Sequence, residues 1–118
     1  MILEGTWEVT SLAVDDEQVE SIPGSIMTLE FSEGRVGGNA SINRFMGQLG
    51  EDRLFGPLAT TMMAGPSELM EQERRYLELL GRTDSMLFRP GKLDLIADND
   101  VLVTLKWVGT KAEPKTVK

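Results

Sequence analysis

Gly34-Arg35-Val36-Gly37-Gly38-Asn39-Ala40-Ser41-Ile42-Asn43-Arg44-Phe45-Met46-Gly47 decides how the rest of the chain reads. Glycines crowd this stretch, and Asn43-Arg44-Phe45 sits at its centre. It runs on through two short apolar pieces to Thr60-Thr61-Met62-Met63-Ala64-Gly65. Periodic strands precede it and a helix follows it, so it is the expected place for a site or a structural keystone. Ser32-Glu33-Gly34 turns the chain into a hairpin whose second strand is weakened by Gly37 and Gly38. Glycines inside a strand mark a bulge or the close approach of another backbone. A phosphate cradle needs Gly-x-Gly-x-x-Gly or a Gly-Lys-Ser/Thr ending, and neither is present.

Upstream, Ile26 to Phe31 places Met27, Leu29 and Phe31 on one face, with Thr28 and Glu30 on the other. Thr6 to Val14 reads as a first strand, with Trp7 and Val9 on one side. Asp15-Asp16-Glu17 lacks the spacing of a calcium loop and reads as a solvated turn. Pro23-Gly24 is a second turn. Downstream, Met46–Leu49 and Arg53–Phe55 are short strand candidates around Gly50-Glu51-Asp52, and Leu58–Met63 continues extended. Met86–Arg89 and Lys92–Ala97 flank Pro90-Gly91, a hairpin signal. Val101 to Val108 puts Val101, Val103, Leu105 and Trp107 on one face, matching Leu93 and Leu95. Trp7 and Trp107, on the first and last strands, are expected to pack where the sheet closes.

Gly65-Pro66-Ser67-Glu68 starts the helix, and Gly81 is placed to end it. Leu69, Met70, Tyr76, Leu77 and Leu80 gather in one arc at 100° per residue. Glu73 falls inside that arc, while Gln72, Arg74, Arg75 and Glu78 lie outside. A carboxylate aimed at a core needs partners, because an unpaired buried charge costs several kcal/mol or is neutralised. One reading makes Glu73 a general acid or base. The preferred reading is a structural clamp, in which Glu73 accepts hydrogen bonds from the Asn43-Arg44 loop, from Thr60 or Thr61, or from backbone N–H groups.

At 118 residues the chain is one domain. Its net charge is -7; Gly109 to Lys118 carries +2, which leaves -9 on the body. No basic field exists to collect phosphates, so nucleic acid and anionic membrane are disfavoured as partners. The chain contains neither Cys nor His. Thiol nucleophiles, thiolate metal sites and imidazole bases are therefore excluded. No cofactor is expected. There is no signal-like or membrane-spanning apolar run, and a cytoplasmic location is expected. Residues 109–118 read as a flexible tail after a domain of residues 1–108.

Several of these features together resemble one known family. Leu3-Glu4-Gly5-Thr6-Trp7 opens like a META domain, the family of the bacterial heat-shock protein HslJ. The likeness continues through Gly34–Gly47, where the family has a Gly-x-x-Gly-Cys-Asn-Arg-Phe-x-Gly type of segment. It runs on through Phe55–Ala64, through Met70 and Glu73 as a Met-x-x-Glu helix with Leu77 and Leu80, and through the hairpin of Leu93 and Leu95. The family often has Cys where this chain has Ile42 and Gly65. Those cysteines are plausible disulfide partners, and both are replaced here. The resemblance implies a mainly β (α+β) fold: an antiparallel half-open β-barrel of about eight strands with one α-helix packed across it. It also implies a link to stress and no enzyme.

The leading expectation is thus a non-enzymatic, stress-related binding or stability module. Its site is the mouth between the helix and Asn43, Arg44 and Phe45, with an unknown protein or apolar small-molecule partner. The alternative is a carrier of an apolar molecule or acyl chain, lined by Met62, Met63, Met70 and Phe45 around an internal cavity. Met-rich segments also serve simply as core filler. A hydrolase built on Glu73 lacks a second carboxylate in a matching context. A monomer is expected, or a weak dimer through an exposed sheet edge.

Overall fold

The computed structural model describes residues 4–15, 17–50 and 54–109. Its elements in chain order are β1 (Gly5–Val14), β2 (Glu17–Glu20), β3 (Thr28–Ser32), β4 (Arg35–Asn39), β5 (Arg44–Gln48), β6 (Ala59–Thr60), α1 (Ser67–Arg82), β7 (Ser85–Arg89), β8 (Lys92–Ala97) and β9 (Asp100–Gly109). All strand pairs are antiparallel and join one sheet in the order β6-β5-β4-β3-β1-β9-β8-β7, with β2 beside β1. The two long strands β1 and β9 lie at its middle. Among the described residues β6 and β7 do not pair with each other. The sheet is therefore open, not closed into the expected barrel.

Alternation sets which face is buried, and two irregularities reset it. Trp7 and Val9 face the core, but the register against β9 shifts between Val9 and Ser11, so Leu12 is the next core residue. An extra residue in one strand swaps the faces beyond it. A second shift lies between Leu95 and Ile96 on β8, where Leu95 faces Val103 but Ile96 faces Val101. It turns Leu102 inward and leaves Val101 exposed. The expected single face of Val101, Val103, Leu105 and Trp107 holds only for its middle pair. Trp107 is partly exposed and packs edge-on against Trp7, with ring centroids 5.0 Å apart. This contact bridges neighbouring strands in mid-sheet and is not a closure seam.

The helix covers the core face of the sheet. Tyr76 and Leu80 join Leu29, Phe31, Phe45, Leu93, Leu95, Val103 and Leu105 in one buried cluster. Each such side chain contributes about 1.5–3 kcal/mol when fully buried. Pro66 precedes the first turn and its carbonyl accepts from Leu69 and Met70 N–H. Glu68 in the first turn and Arg82 in the last both suit the helix dipole.

Two boundaries and the buried arc of the helix differ from expectation. Gly81 lies within α1, which runs on to Arg82 and ends at Thr83. There the hydroxyl of Thr83 donates to Leu79 O at 2.9 Å and Asp84 N–H donates to Ile96 O, so side-chain and sheet bonds stop the helix without a glycine cap. Gln72 and Leu79 are buried while Leu69, Met70 and Leu77 are only partly so, which rotates the buried arc away from the one expected. Gly109, the first residue of the expected tail, belongs to β9 opposite Thr6. Residues 110–118, Asp16 and the expected turn and strand start at 51–53 lie outside the described residues. No helix among the described residues is long and apolar enough to cross a membrane.

Candidate functional site

Ala40 to Asn43 turn the chain from β4 into β5. Ala40 N–H donates to Asn43 O at 2.7 Å and Ser41 N–H to Ile26 O at 3.2 Å. Ser41 has φ 93°, a conformation that a residue with a Cβ adopts only under constraint. Three donors then point toward the helix, and Glu73 takes all of them. Its Oε1 accepts from Ile42 N–H at 2.9 Å and Asn43 N–H at 2.7 Å, and its Oε2 accepts from Asn43 Nδ2 at 2.8 Å. Glu73 is 7% exposed and Asn43 4%. Bonds to an ionised acceptor are the strong kind, and here they offset the cost of taking the carboxylate from water.

Asn43 also holds the segment after β6. Its Oδ1 accepts from the Thr61 hydroxyl at 2.8 Å and Met63 N–H at 2.6 Å, and its Nδ2 donates to Met63 O at 3.0 Å. The carboxamide thus pairs with both backbone polar groups of Met63, as a neighbouring strand would. Thr61 N–H donates to Arg44 O at 3.0 Å, and the Thr61 hydroxyl accepts from Arg44 N–H at 3.1 Å. Two donors and two acceptor positions exhaust the capacity of the Asn43 side chain. Thr60 stands outside this network; its hydroxyl faces Met62 Sδ at 3.8 Å.

The glycine pair explains how Tyr76 enters. A Cβ on Gly38 would lie 2.3 Å from Thr28 O, so the β3 and β4 backbones approach there as no other residue permits. Thr28 Oγ1 accepts from Asn39 N–H at 2.9 Å, and Thr28 O accepts from the Tyr76 hydroxyl at 2.7 Å. Burial, with Glu30 nearby as the lesser cause, pushes the Tyr76 phenol well above its ordinary pKa. The Tyr76 ring packs edge-on against Phe45 at 5.8 Å.

These contacts sort the expected site residues. Asn43, Thr61 and Glu73 meet in one knot. Phe45 is 1% exposed beneath Tyr76 and offers no ring to solvent. Arg44 lies on the outer face, where it donates to Asn39 Oδ1 at 3.0 Å and pairs with Glu30 at 3.3 Å. Met62 and Met63 are exposed, at 88% and 58%, and Met70 is partly buried. The four residues expected to line an apolar cavity therefore point to different places: one to the core, two to solvent, one to the helix flank. An open depression on the outer face of β3–β5 is lined by Glu30, Arg35, Arg44 and Met46 among others. Another lies where α1 ends near the β1–β2 turn, with Arg75, Arg82, Asp15 and Asp100 in its wall.

Ile42 and Gly65 are neighbours in space. A Cβ on Gly65 would lie 2.6 Å from Ile42 Cδ1 and 3.2 Å from Ile42 Cγ1, so the isoleucine already fills the place of a side chain there. The sequence around both positions matches the model of the META domain over residues 1–108. The chain belongs to the META domain family. The structure is similar to the NMR structure of the protein from Burkholderia xenovorans, at TM-score 0.71 and 25% identity over 89% of this chain and 82% of that one. No curated protein matches the chain.

In this META domain one buried polar residue of the helix, Gln72, lies outside the arc that the sequence predicts. Gln72 Oε1 accepts from Ile22 N–H at 2.8 Å, and its Nε2 donates to the hydroxyls of Ser25 at 3.0 Å and Ser41 at 3.2 Å. It ties the Ile22–Ser25 turn to the same loop that Glu73 holds. Its polar side chain placed it outside the apolar arc, and only the lone serines Ser25 and Ser41 hinted at partners. Together Gln72, Glu73 and Tyr76 form a polar seam down one side of α1 that reaches the Ile22–Ser25 turn, the Ser41–Asn43 loop and β3.

Proposed function

We propose that this META domain is a non-enzymatic binding module whose contact surface is the β5–β6 edge around Arg44, Met46, Met62 and Met63. The observation that carries the reading is a division of labour in the knot. Asn43 and both oxygens of Glu73 are committed to one another and to backbone amides, while Arg44, Met46, Met62 and Met63 project to solvent. A carboxylate so engaged is poorly placed for proton transfer, which favours binding over catalysis. Flexible thioethers beside a guanidinium suit a partner with an apolar surface and an anionic or carbonyl group. The role in stress tolerance rests on family membership.

The test is capture with chemical cross-linking from stressed host cells, comparing the natural chain with a triple variant, Arg44→Ala, Met62→Ser and Met63→Ser. A purified captured partner should bind the variant about tenfold or more weakly, as for contact residues that dominate an interface. Melting should be unchanged, because none of the three side chains is buried. Equal binding by both proteins would remove this surface from consideration.

A further inference from the structure

We propose that Met62 is an oxidation site of the native protein, taking one oxygen atom from a small oxidant of the hydroperoxide class. The inference stands apart from any binding partner. The chain has seven methionines and no cysteine, so its sulfur chemistry is thioether chemistry. Met27 is sealed in the core at 1% exposure, and Met46 is 63% exposed, against 88% for Met62. Susceptibility to this reaction follows exposure.

Three features beyond exposure single out Met62. First, its backbone is held on both sides. Thr61 N–H donates to Arg44 O, and Met63 is paired through N–H and O with the Asn43 side chain. The sulfur is thus presented from a segment held at both neighbouring residues. Second, the Thr60 hydroxyl lies 3.8 Å from Met62 Sδ, within reach of an oxygen added to that sulfur. A sulfoxide oxygen is a strong acceptor, so its donor is already in place. Third, the side chain packs against almost nothing, so gaining a polar oxygen disturbs no apolar contact. Oxidation of a core methionine such as Met27 carries the opposite consequence.

The step balances without any other reagent. A sulfur lone pair of Met62 attacks the terminal oxygen of the hydroperoxide, the S–O bond forms and the O–O bond breaks. The hydroperoxide proton passes to the departing oxygen, which leaves as an alcohol, or as water when the oxidant is hydrogen peroxide. Sulfur is oxidised by two electrons and the peroxide is reduced by two. The protein thereby consumes oxidant at a surface position where its fold tolerates the product.

The experiment exposes the folded full chain to limiting hydrogen peroxide and maps oxygen uptake by fragmentation mass spectrometry. Met62 should take the first oxygen, about tenfold faster than Met27, and the difference should vanish in denaturant. The singly oxidised protein should melt with the unmodified one, and Met62→Leu should slow uptake of the first oxygen. A first oxygen on any of the other six methionines would overturn the proposal. A lowered melting temperature of the singly oxidised protein would overturn it too, by showing that Met62 supports the fold.

Discussion

Glu73 on α1 holds both amide groups of Asn43, the backbone N–H at 2.7 Å and the side-chain Nδ2 at 2.8 Å. One helix residue thereby closes a loop thirty positions away. Glu73→Gln replaces one acceptor oxygen by a donor that must face another donor, at Asn43 Nδ2 or at the backbone. Leaving a buried donor unpaired costs about 1–3 kcal/mol, more where a charge is involved. Glu73→Gln should lower the melting temperature by on the order of 5–10 °C in a domain of this size. Asn43→Ala should cost at least as much, since it also frees Met63 and Thr61. Calorimetry on both variants checks this, and unchanged melting in both would sink the clamp.

Tyr76 predicts a loss of stability in alkali. Its folded pKa is raised, so the folded protein keeps the proton where the unfolded chain releases it. The stabilisation is complete below the unfolded value of about 10 and is lost as pH rises from there through the folded value, with a slope of about 1.4 kcal/mol per pH unit. Tyr76 is the sole tyrosine of the chain, so tyrosinate absorbance reports it alone. That absorbance should appear together with unfolding and not before it. In Tyr76→Phe the steep fall above pH 10 should flatten relative to the natural protein. Tyrosinate forming in a still-folded protein would contradict the buried hydrogen bond to Thr28.

Two glycines should respond in opposite directions to alanine. Gly81 lies in the last turn of α1, has nothing near the position of a Cβ, and is not in the left-handed region. Gly81→Ala should stabilise by about 0.5–1 kcal/mol, from helix propensity and the stiffer unfolded chain. Gly38 has φ 149° and would drive a Cβ into Thr28 O. Gly38→Ala should destabilise strongly and open the β3–β4 approach. Urea unfolding of the pair measures both signs. A destabilising Gly81→Ala would restore the glycine to a capping role.

The local patterns in this sequence carried the strands and the helix but not the places where the ladder slips. Trp7, Val9, Leu29 and Phe31 alternate cleanly, and their faces follow from spacing alone. Leu12 and Leu102 break that alternation because register shifts place them, and a shift is a property of two strands together. The site was half legible for a similar reason. A lone carboxylate in an apolar arc demanded partners, which drew attention to Glu73 and Asn43. Gln72 carries no charge and made no such demand, although its burial is comparable. Phe45 looked like a ligand contact by its place beside Arg44, but neighbours in a strand face opposite ways. The inward one belongs to Tyr76 and the core.

Ile42 and Gly65 offer the last and sharpest test of the loop geometry. With Ile42 Cγ1 only 3.2 Å from where a Cβ on Gly65 would sit, a sulfur on residue 42 falls near bonding range of a sulfur on residue 65. The double substitution Ile42→Cys with Gly65→Cys should therefore form a bridge under mild oxidation. Gly65 is not in the left-handed region, and the three atoms nearest to a Cβ there all belong to the isoleucine that the substitution removes. A cross-link closing the chain between these positions should stabilise by about 3 kcal/mol through the unfolded state. Reduction should return the variant to or below the natural stability, because the packing of Ile42 is gone. Mass spectrometry with and without reductant, paired with melting curves, reads both effects. A double variant that stays reduced would mean that residues 42 and 65 do not meet, and the path of the chain from β6 into α1 would need redrawing.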